Sequence, residues 1–167
     1  MALIDLDQGV RLFDDDPSPV KVLVVDDDAE DIYLLKRLLR RSKTLAYDVV
    51  ACHGLDEGAA IAAAVGIDVL VVDFFLGTGI SIDSRRPNHE LLSLPFILLS
   101  GFHAPELEQV ARDAGAVGFL CKGGLTVEAV DALALQILRA PREIFHAPTA
   151  RAGLAPVASD ALVPLAG

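Results

Sequence analysis

Asp26, Asp27 and Asp28 follow directly on the apolar run VKVLVV at 20–25, and Asp73 closes a second run, IDVLVVD, at 67–73. Ser100 ends a third run and Lys122 a fourth. Adjacent carboxylates repel one another, and burying even one without a partner is costly. A chain that sets aspartates at the ends of hydrophobic runs therefore needs a compensating charge. Asp26, Asp27 and Asp73 together suit a hard divalent cation. Mg2+ fits the set because it takes one or two carboxylates, keeps several waters and shares its other positions with phosphate oxygens. Lys122 adds a compact positive charge for a phosphoryl oxygen. An aspartate can itself be the nucleophile of phosphoryl transfer, forming an acyl phosphate, while metal and lysine neutralise the equatorial oxygens. Taken singly these signals are weak. Asp28 reads as the N-cap of the next helix, a serine at a strand end commonly serves a turn, and a lysine there is usually solvated. The joint order of the residues is what carries information.

The elements that must position them alternate. The run 20–25 is β-branched and unbroken, as in a strand buried on both faces. Ile32, Leu35, Leu38 and Leu39 then recur at helical spacing, predicting a helix over 29–42 with acids early and cations late, in accord with its dipole. A strand at 46–52, a small Ala-rich helix at 55–65 and a strand at 67–73 follow. The stretch 74–94 holds Gly77, Gly79 and Pro87, and accommodates at most one short helix near 87–94. Then come a strand at 95–100, a helix at 104–115, a strand at 116–122 and a helix at 126–140, with Val127, Val130, Leu133, Ala134 and Ile137 on one stripe and Pro141 at its end. Parallel strands need right-handed crossovers, which put helices on both faces. The expected architecture is an open α/β sandwich, in which function collects at the carboxyl ends of the strands.

Composition narrows the class. The length of 167 residues suits one domain with tails, and 53% hydrophobic residues are ample for a core. The formal charge of −10 argues against nucleic acid or an anionic membrane as partner. Cys52 and Cys121 sit in strand-like segments with no metal-ligand spacing, as in a reduced cytoplasmic protein. No signal peptide and no apolar run of the ~20 residues that span a bilayer is present. Residues 1–19 read as a flexible acidic arm, 20–141 as the domain and 142–167 as an Ala/Pro-rich tail.

The segments VLVVDDD (22–28), DVLVVD (68–73), LPFILLSG (94–101) and GAVGFLCKGG (115–124) resemble the receiver domains of bacterial two-component response regulators, over roughly 20–140. The resemblance implies a (βα)5 flavodoxin-like fold with strand order 2-1-3-4-5. It implies Asp73 as phosphoacceptor, supplied by a histidine kinase or a histidine phosphotransfer protein. It implies Asp26 and Asp27 as the acidic pair holding Mg2+, with the backbone carbonyl of Phe75 completing the metal shell. Ser100 matches the switch hydroxyl, Lys122 the lysine that meets the phosphoryl group, and Phe119 the aromatic that moves inward on activation. With about 25 residues after Arg142, output is expected through protein contact, on a surface at roughly 104–140, and a homodimer is compatible with it. No separate turnover activity is expected.

The pattern is not complete. Gly77 and Gly123 stand where the family usually has proline, and the stretch between Asp73 and Ser100 is short, so an atypical third helix is expected. Phe75 and Phe102, each two residues after a site residue, would flank the phosphoryl group and hinder hydrolytic water. Two alternatives compete. A pseudo-receiver would keep the acidic pocket and work as a binding module without phosphate. A phosphatase of the haloacid dehalogenase type would need an aspartate two residues after its nucleophile, but Phe75 follows Asp73 at that spacing, and the match of Asp28 to Asp26 lacks further context. His53, His89, His103 and His146 form no ligand spacing.

Overall fold

A computed structural model describes residues 18–77, 79–82 and 89–140. The expected N-terminal arm (but for its last two residues), the C-terminal tail, Pro87 and His146 fall outside the described residues. In chain order the elements are β1 (Val20–Val25), α1 (Ala29–Leu39), β2 (Tyr47–Cys52), α2 (Leu55–Val65), β3 (Val69–Asp73), β4 (Phe75–Leu76), β5 (Gly79–Ile80), a 3-10 turn (Glu90–Ser93), β6 (Phe96–Ser100), α3 (Pro105–Asp113), β7 (Gly118–Cys121), a second 3-10 turn (Lys122–Gly124) and α4 (Val127–Arg139).

Five strands form one parallel sheet in the order β2-β1-β3-β6-β7. This is the expected 2-1-3-4-5 order of the flavodoxin-like receiver fold, with the hairpin β4–β5 forming a separate two-stranded sheet. Alternate residues of each strand point to opposite faces, which produces two cores. Val22, Val24, Val69, Val71, Ile97 and Leu99 pack under α1 and α4. Leu23, Val25, Leu70, Val72, Phe96 and Leu98 pack on the side of α2 and α3.

Between β3 and β6 the described residues hold a hairpin and a 3-10 turn. The antiparallel hairpin pairs Phe75 with Ile80 and Leu76 with Gly79. Gly77 sits in its two-residue turn at φ 60°, a conformation that proline cannot adopt because its ring holds φ near −65°. Further along, the 3-10 turn Glu90–Ser93 buries Leu91 and Leu92 against α2 and closes the core on that side. His89 caps this turn: its Nδ1 accepts from Leu91 N at 3.2 Å and its Nε2 lies 3.0 Å from Asp56 Oδ1.

Candidate functional site

Parallel pairing brings the carboxyl ends of β1, β3, β6 and β7 to one rim. Val25 pairs with Val72, Asp73 with Leu99, and Ser100 with Cys121. The strand ends therefore emerge on one rim, and Asp26 and Lys122, each just past its strand, meet Asp73, the last residue of β3, there from segments far apart in sequence.

The three aspartates converge as a ligand set. Asp26, Asp27 and Asp73 each present a carboxylate oxygen, and these oxygens lie within 4.8 Å of one another. Asp26 and Asp73 are buried and Asp27 is exposed. Asp26 is fixed from several sides. Its N–H donates to Cys52 O at 3.1 Å, its Oδ1 accepts from Asp28 N at 2.9 Å, and its carbonyl lies 3.2 Å from His53 Nδ1. Asp28 is the N-cap of α1, accepting from Glu30 N at 2.8 Å, and takes no place in the ligand set.

Lys122 is not a solvated rim residue. Its Nζ reaches Asp26 Oδ2 at 2.7 Å, Asp31 Oδ2 at 2.6 Å and Asp73 Oδ1 at 3.0 Å, with its side chain 19% exposed. Burial works against the ammonium, but the hydrogen bonds to Asp26, Asp31 and Asp73 outweigh it and hold the Lys122 pKa above the ordinary lysine value. Burial pushes the Asp73 carboxyl up from its ordinary value. Lys122 and the Phe74 N–H pull the other way without cancelling the rise, to which the Asp26 charge adds. Without a cation, the site is a cluster of carboxylates held by one ammonium.

Asp31 is the member that sequence reasoning missed. Its acid looked like a first-turn charge on α1, serving the helix dipole. The available signal was its place in the first turn after the N-cap Asp28, which faces a helical residue toward the strand ends.

Ser100 is fully buried, and its Oγ accepts from Phe102 N at 3.1 Å, the turn role open to a strand-end serine. Phe75 lies in the hairpin. Ser81 N donates to Phe74 O at 2.8 Å, so the alternation of an antiparallel ladder makes Phe75 and Ile80 a non-hydrogen-bonded pair. The ladder consequently leaves the Phe75 carbonyl unused. The Phe75 and Phe102 rings meet edge to face with centroids 6.3 Å apart, and Phe75 meets Phe74 at 4.8 Å. Both outer rings are exposed. Phe119 does not enter the acid cluster. It pairs with Leu98 on β7, packs half-buried against the α2/α3-side core, and lies 6.4 Å from the His103 ring. Cys52 and Cys121 are both free thiols.

No family model matches the sequence, and no curated protein matches it. Solved structures do. The chemotaxis protein CheY4 of Vibrio cholerae superposes with a TM-score of 0.57, covering 72% of this chain and 100% of that one at 21% identity. A response regulator receiver domain protein from Clostridium thermocellum gives 0.55, over 71% and 94% of the two chains at 20% identity. A CheY-like receiver domain protein from Methanospirillum hungatei gives 0.55, over 72% and 94% at 20% identity. At these identities the likeness is one of fold, and the fold of this chain is that of the CheY-like receiver domains.

Proposed function

We propose that this chain is a two-component receiver that accepts a phosphoryl group on Asp73 and signals by protein–protein contact. The observation that carries the reading is the convergence of Asp26, Asp27 and Asp73 within 4.8 Å, with the Lys122 ammonium 3.0 Å from the Asp73 carboxylate, at the carboxyl edge of a parallel sheet.

The donor set fits Mg2+: hard carboxylate oxygens, plus a backbone carbonyl at Phe75 that the hairpin leaves unused. Asp26, Asp27, Asp73 and the Phe75 carbonyl would hold the ion, which when bound supplies charge neutralisation to the transferring phosphoryl oxygens. The protein does the rest. Asp73 Oδ attacks phosphorus in line as the bond from phosphorus to the donor breaks, and the donor leaves with the electron pair and takes a proton from solvent. Lys122 faces the developing charge on the phosphoryl oxygens. Ser100, one residue beyond the partner of Asp73 on β6, would turn its hydroxyl to a phosphoryl oxygen. Phe119, two residues before Cys121 (the pair of Ser100), would follow that movement inward. The phosphodonor would be a histidine kinase or a phosphotransfer protein, and the output surface would lie on α3, β7 and α4, roughly 104–140. Such a domain works in the cytoplasm with no turnover activity of its own, and among the described residues no helix is long and apolar enough to cross a membrane.

A second reading has one observation in its favour. Gly77 turns the β4–β5 hairpin at φ 60° where the family usually has proline, as in a binding module that has given up phosphate-dependent signalling. Intact-protein mass after incubation with Mg2+ and acetyl phosphate or phosphoramidate separates the two. A single phosphoryl adduct that requires Mg2+ and is absent in Asp73→Ala is the expected result. No adduct, together with no Mg2+ binding, would favour the pseudo-receiver.

A further inference from the structure

We propose that Asp31 is a positioning residue for Lys122, the partner that keeps the ammonium in place when a metal ion draws Asp26 and Asp73 away from it. The inference rests on the receiver reading of the site and deepens it.

A lysine has three N–H donors and no acceptor. Lys122 directs all three at carboxylates: Asp31 at 2.6 Å, Asp26 at 2.7 Å and Asp73 at 3.0 Å. These partners are not equivalent. Asp26 and Asp73 belong with Asp27 to the convergent ligand set, and Asp31 does not. A divalent cation among those three competes with the ammonium for the same oxygens and repels it through space. Asp31 stands apart from that competition. It is the third residue of α1, in the first turn, where the helix dipole stabilises a carboxylate, so its position does not depend on the metal.

Lys122 also has somewhere else to go. A cavity of about 310 Å3 adjoins it, lined by Asp31, Leu34, Leu38, Arg41 and Leu125. A flexible four-carbon stem pushed off Asp26 could swing into that space. The short contact to Asp31, on the α1 wall of that space, limits the swing. It leaves the ammonium tethered on the α1 side, with a donor free to turn from Asp73 to a phosphoryl oxygen carried there.

The test uses the full chain and two variants, Asp31→Asn, which removes the charge at constant size, and Asp31→Glu, which keeps it. Side-chain 15N–1H spectra of lysine ammonium groups report on the anchor directly, with Lys122 assigned by its loss in Lys122→Met. The expected result is a protected Lys122 signal in the native chain with and without MgCl2, a signal lost in Asp31→Asn once MgCl2 is added, and its recovery in Asp31→Glu. In parallel, the rate of labelling by acetyl phosphate at saturating Mg2+ falls about tenfold in Asp31→Asn, the loss of one charge-assisted hydrogen bond. The Mg2+ midpoint moves by less than about threefold, because the lost charge lies outside the ligand set. Asp31→Glu restores most of the rate.

A Lys122 signal that stays protected in Asp31→Asn with MgCl2 overturns the proposal, whatever the labelling does. MgCl2 that moves none of the carboxylate 13C signals of Asp26, Asp27 and Asp73 also overturns it, since nothing then displaces the ammonium. If Mg2+ binds but the native chain takes no phosphoryl group at Asp73, the receiver reading falls, and the ammonium spectrum still decides on Asp31. If Asp31→Asn does not fold, the Asp31 carboxylate 13C signal is followed instead. In MgCl2 it must shift between the native chain and Lys122→Met, and an unmoved signal ends the proposal.

Discussion

Gly58 of α2 faces Leu91 of the 3-10 turn so closely that a Cβ on Gly58 would lie 2.8 Å from Leu91 Cδ2, with Val25 Cγ2 at 3.2 Å and Cys52 Sγ at 3.3 Å. This is the point at which the 3-10 turn seals the core on the α2 side. In an open helical site, replacing glycine by alanine gains about 1 kcal/mol. Here the added methyl meets packed side chains on three sides, and overpacking costs about 1–3 kcal/mol. Gly58→Ala is therefore expected to lower the urea midpoint at unchanged m-value. A midpoint at or above that of the native chain would mean that Leu91 yields freely and the turn is not closely packed on α2.

Mg2+ should stabilise the fold, and Asp27 is the residue with which to show it. Removing Asp26 or Asp73 also breaks an ion pair with Lys122, so a stability change there has two causes. Asp27 is exposed, and it belongs to the ligand set without contacting Lys122. A ligand at ten times its Kd adds about 1.4 kcal/mol to a fold that it alone recognises. The melting temperature of the native chain should rise steadily with MgCl2, and that rise should largely vanish in Asp27→Asn while the metal-free melting temperature stays close to native. A rise of the same size in both proteins would place the ion elsewhere.

The edge-to-face rings of Phe75 and Phe102, 6.3 Å apart and each two residues beyond a site residue, predict a slow loss of phosphate. Hydrolysis of an acyl phosphate needs a water in line with the Asp73–phosphorus bond, and two apolar rings offer that water no hydrogen bond. In Phe75→Asn/Phe102→Glu the rings are replaced by groups that can hold and orient it. The double variant should lose its phosphoryl group about tenfold faster, in the range that a positioned polar group contributes to such a step. Decay of the adduct by intact mass measures this, and equal half-lives would show that the rings are bystanders.

The strands and their ends were legible because a buried parallel strand reads as an unbroken β-branched run. In VKVLVV, DVLVVD and FILLS the change of residue type at the carboxyl end is abrupt. Helix ends were less sharp: α1 stops at Leu39 instead of 42, and α3 covers Pro105–Asp113 instead of 104–115. The hairpin was not legible, since two residues per strand carry no periodicity, although Gly77 marked its turn. Two polar contacts were hidden for a different reason. Asp31 meets Lys122 across 91 positions, and Asp131, on the buried stripe of α4 beside Val130, meets Ser42 and Tyr47 across 89 and 84. A local pattern shows that a charge lies on an apolar face but not which distant donor satisfies it.

That Asp131 contact sets the alkaline limit of stability together with Lys122. Tyr47 donates its hydroxyl to Asp131 Oδ1 at 2.6 Å while Ser42 donates to Oδ2 at 2.9 Å, which ties α4 to β2 and the turn after α1. Burial first, then the hydrogen bond and charge of Asp131, raise the Tyr47 pKa well above its ordinary 10.0. Lys122, ordinarily 10.5, is raised by its three carboxylates. Both groups hold a proton more tightly in the folded chain than in the unfolded one. Their contribution to stability is thus complete below the ordinary values and is lost as pH rises through the folded ones. Unfolding free energy should fall from about pH 10 upward, the ordinary tyrosine value. Tyr47→Phe should be less stable than the native chain at neutral pH, having lost a donor to a buried carboxylate, yet its stability should fall less steeply in the alkaline range. Urea titrations across that range provide the check. Parallel curves for the two proteins would mean that Tyr47 ionises at the same pH folded and unfolded, and that its bond to Asp131 carries no proton linkage.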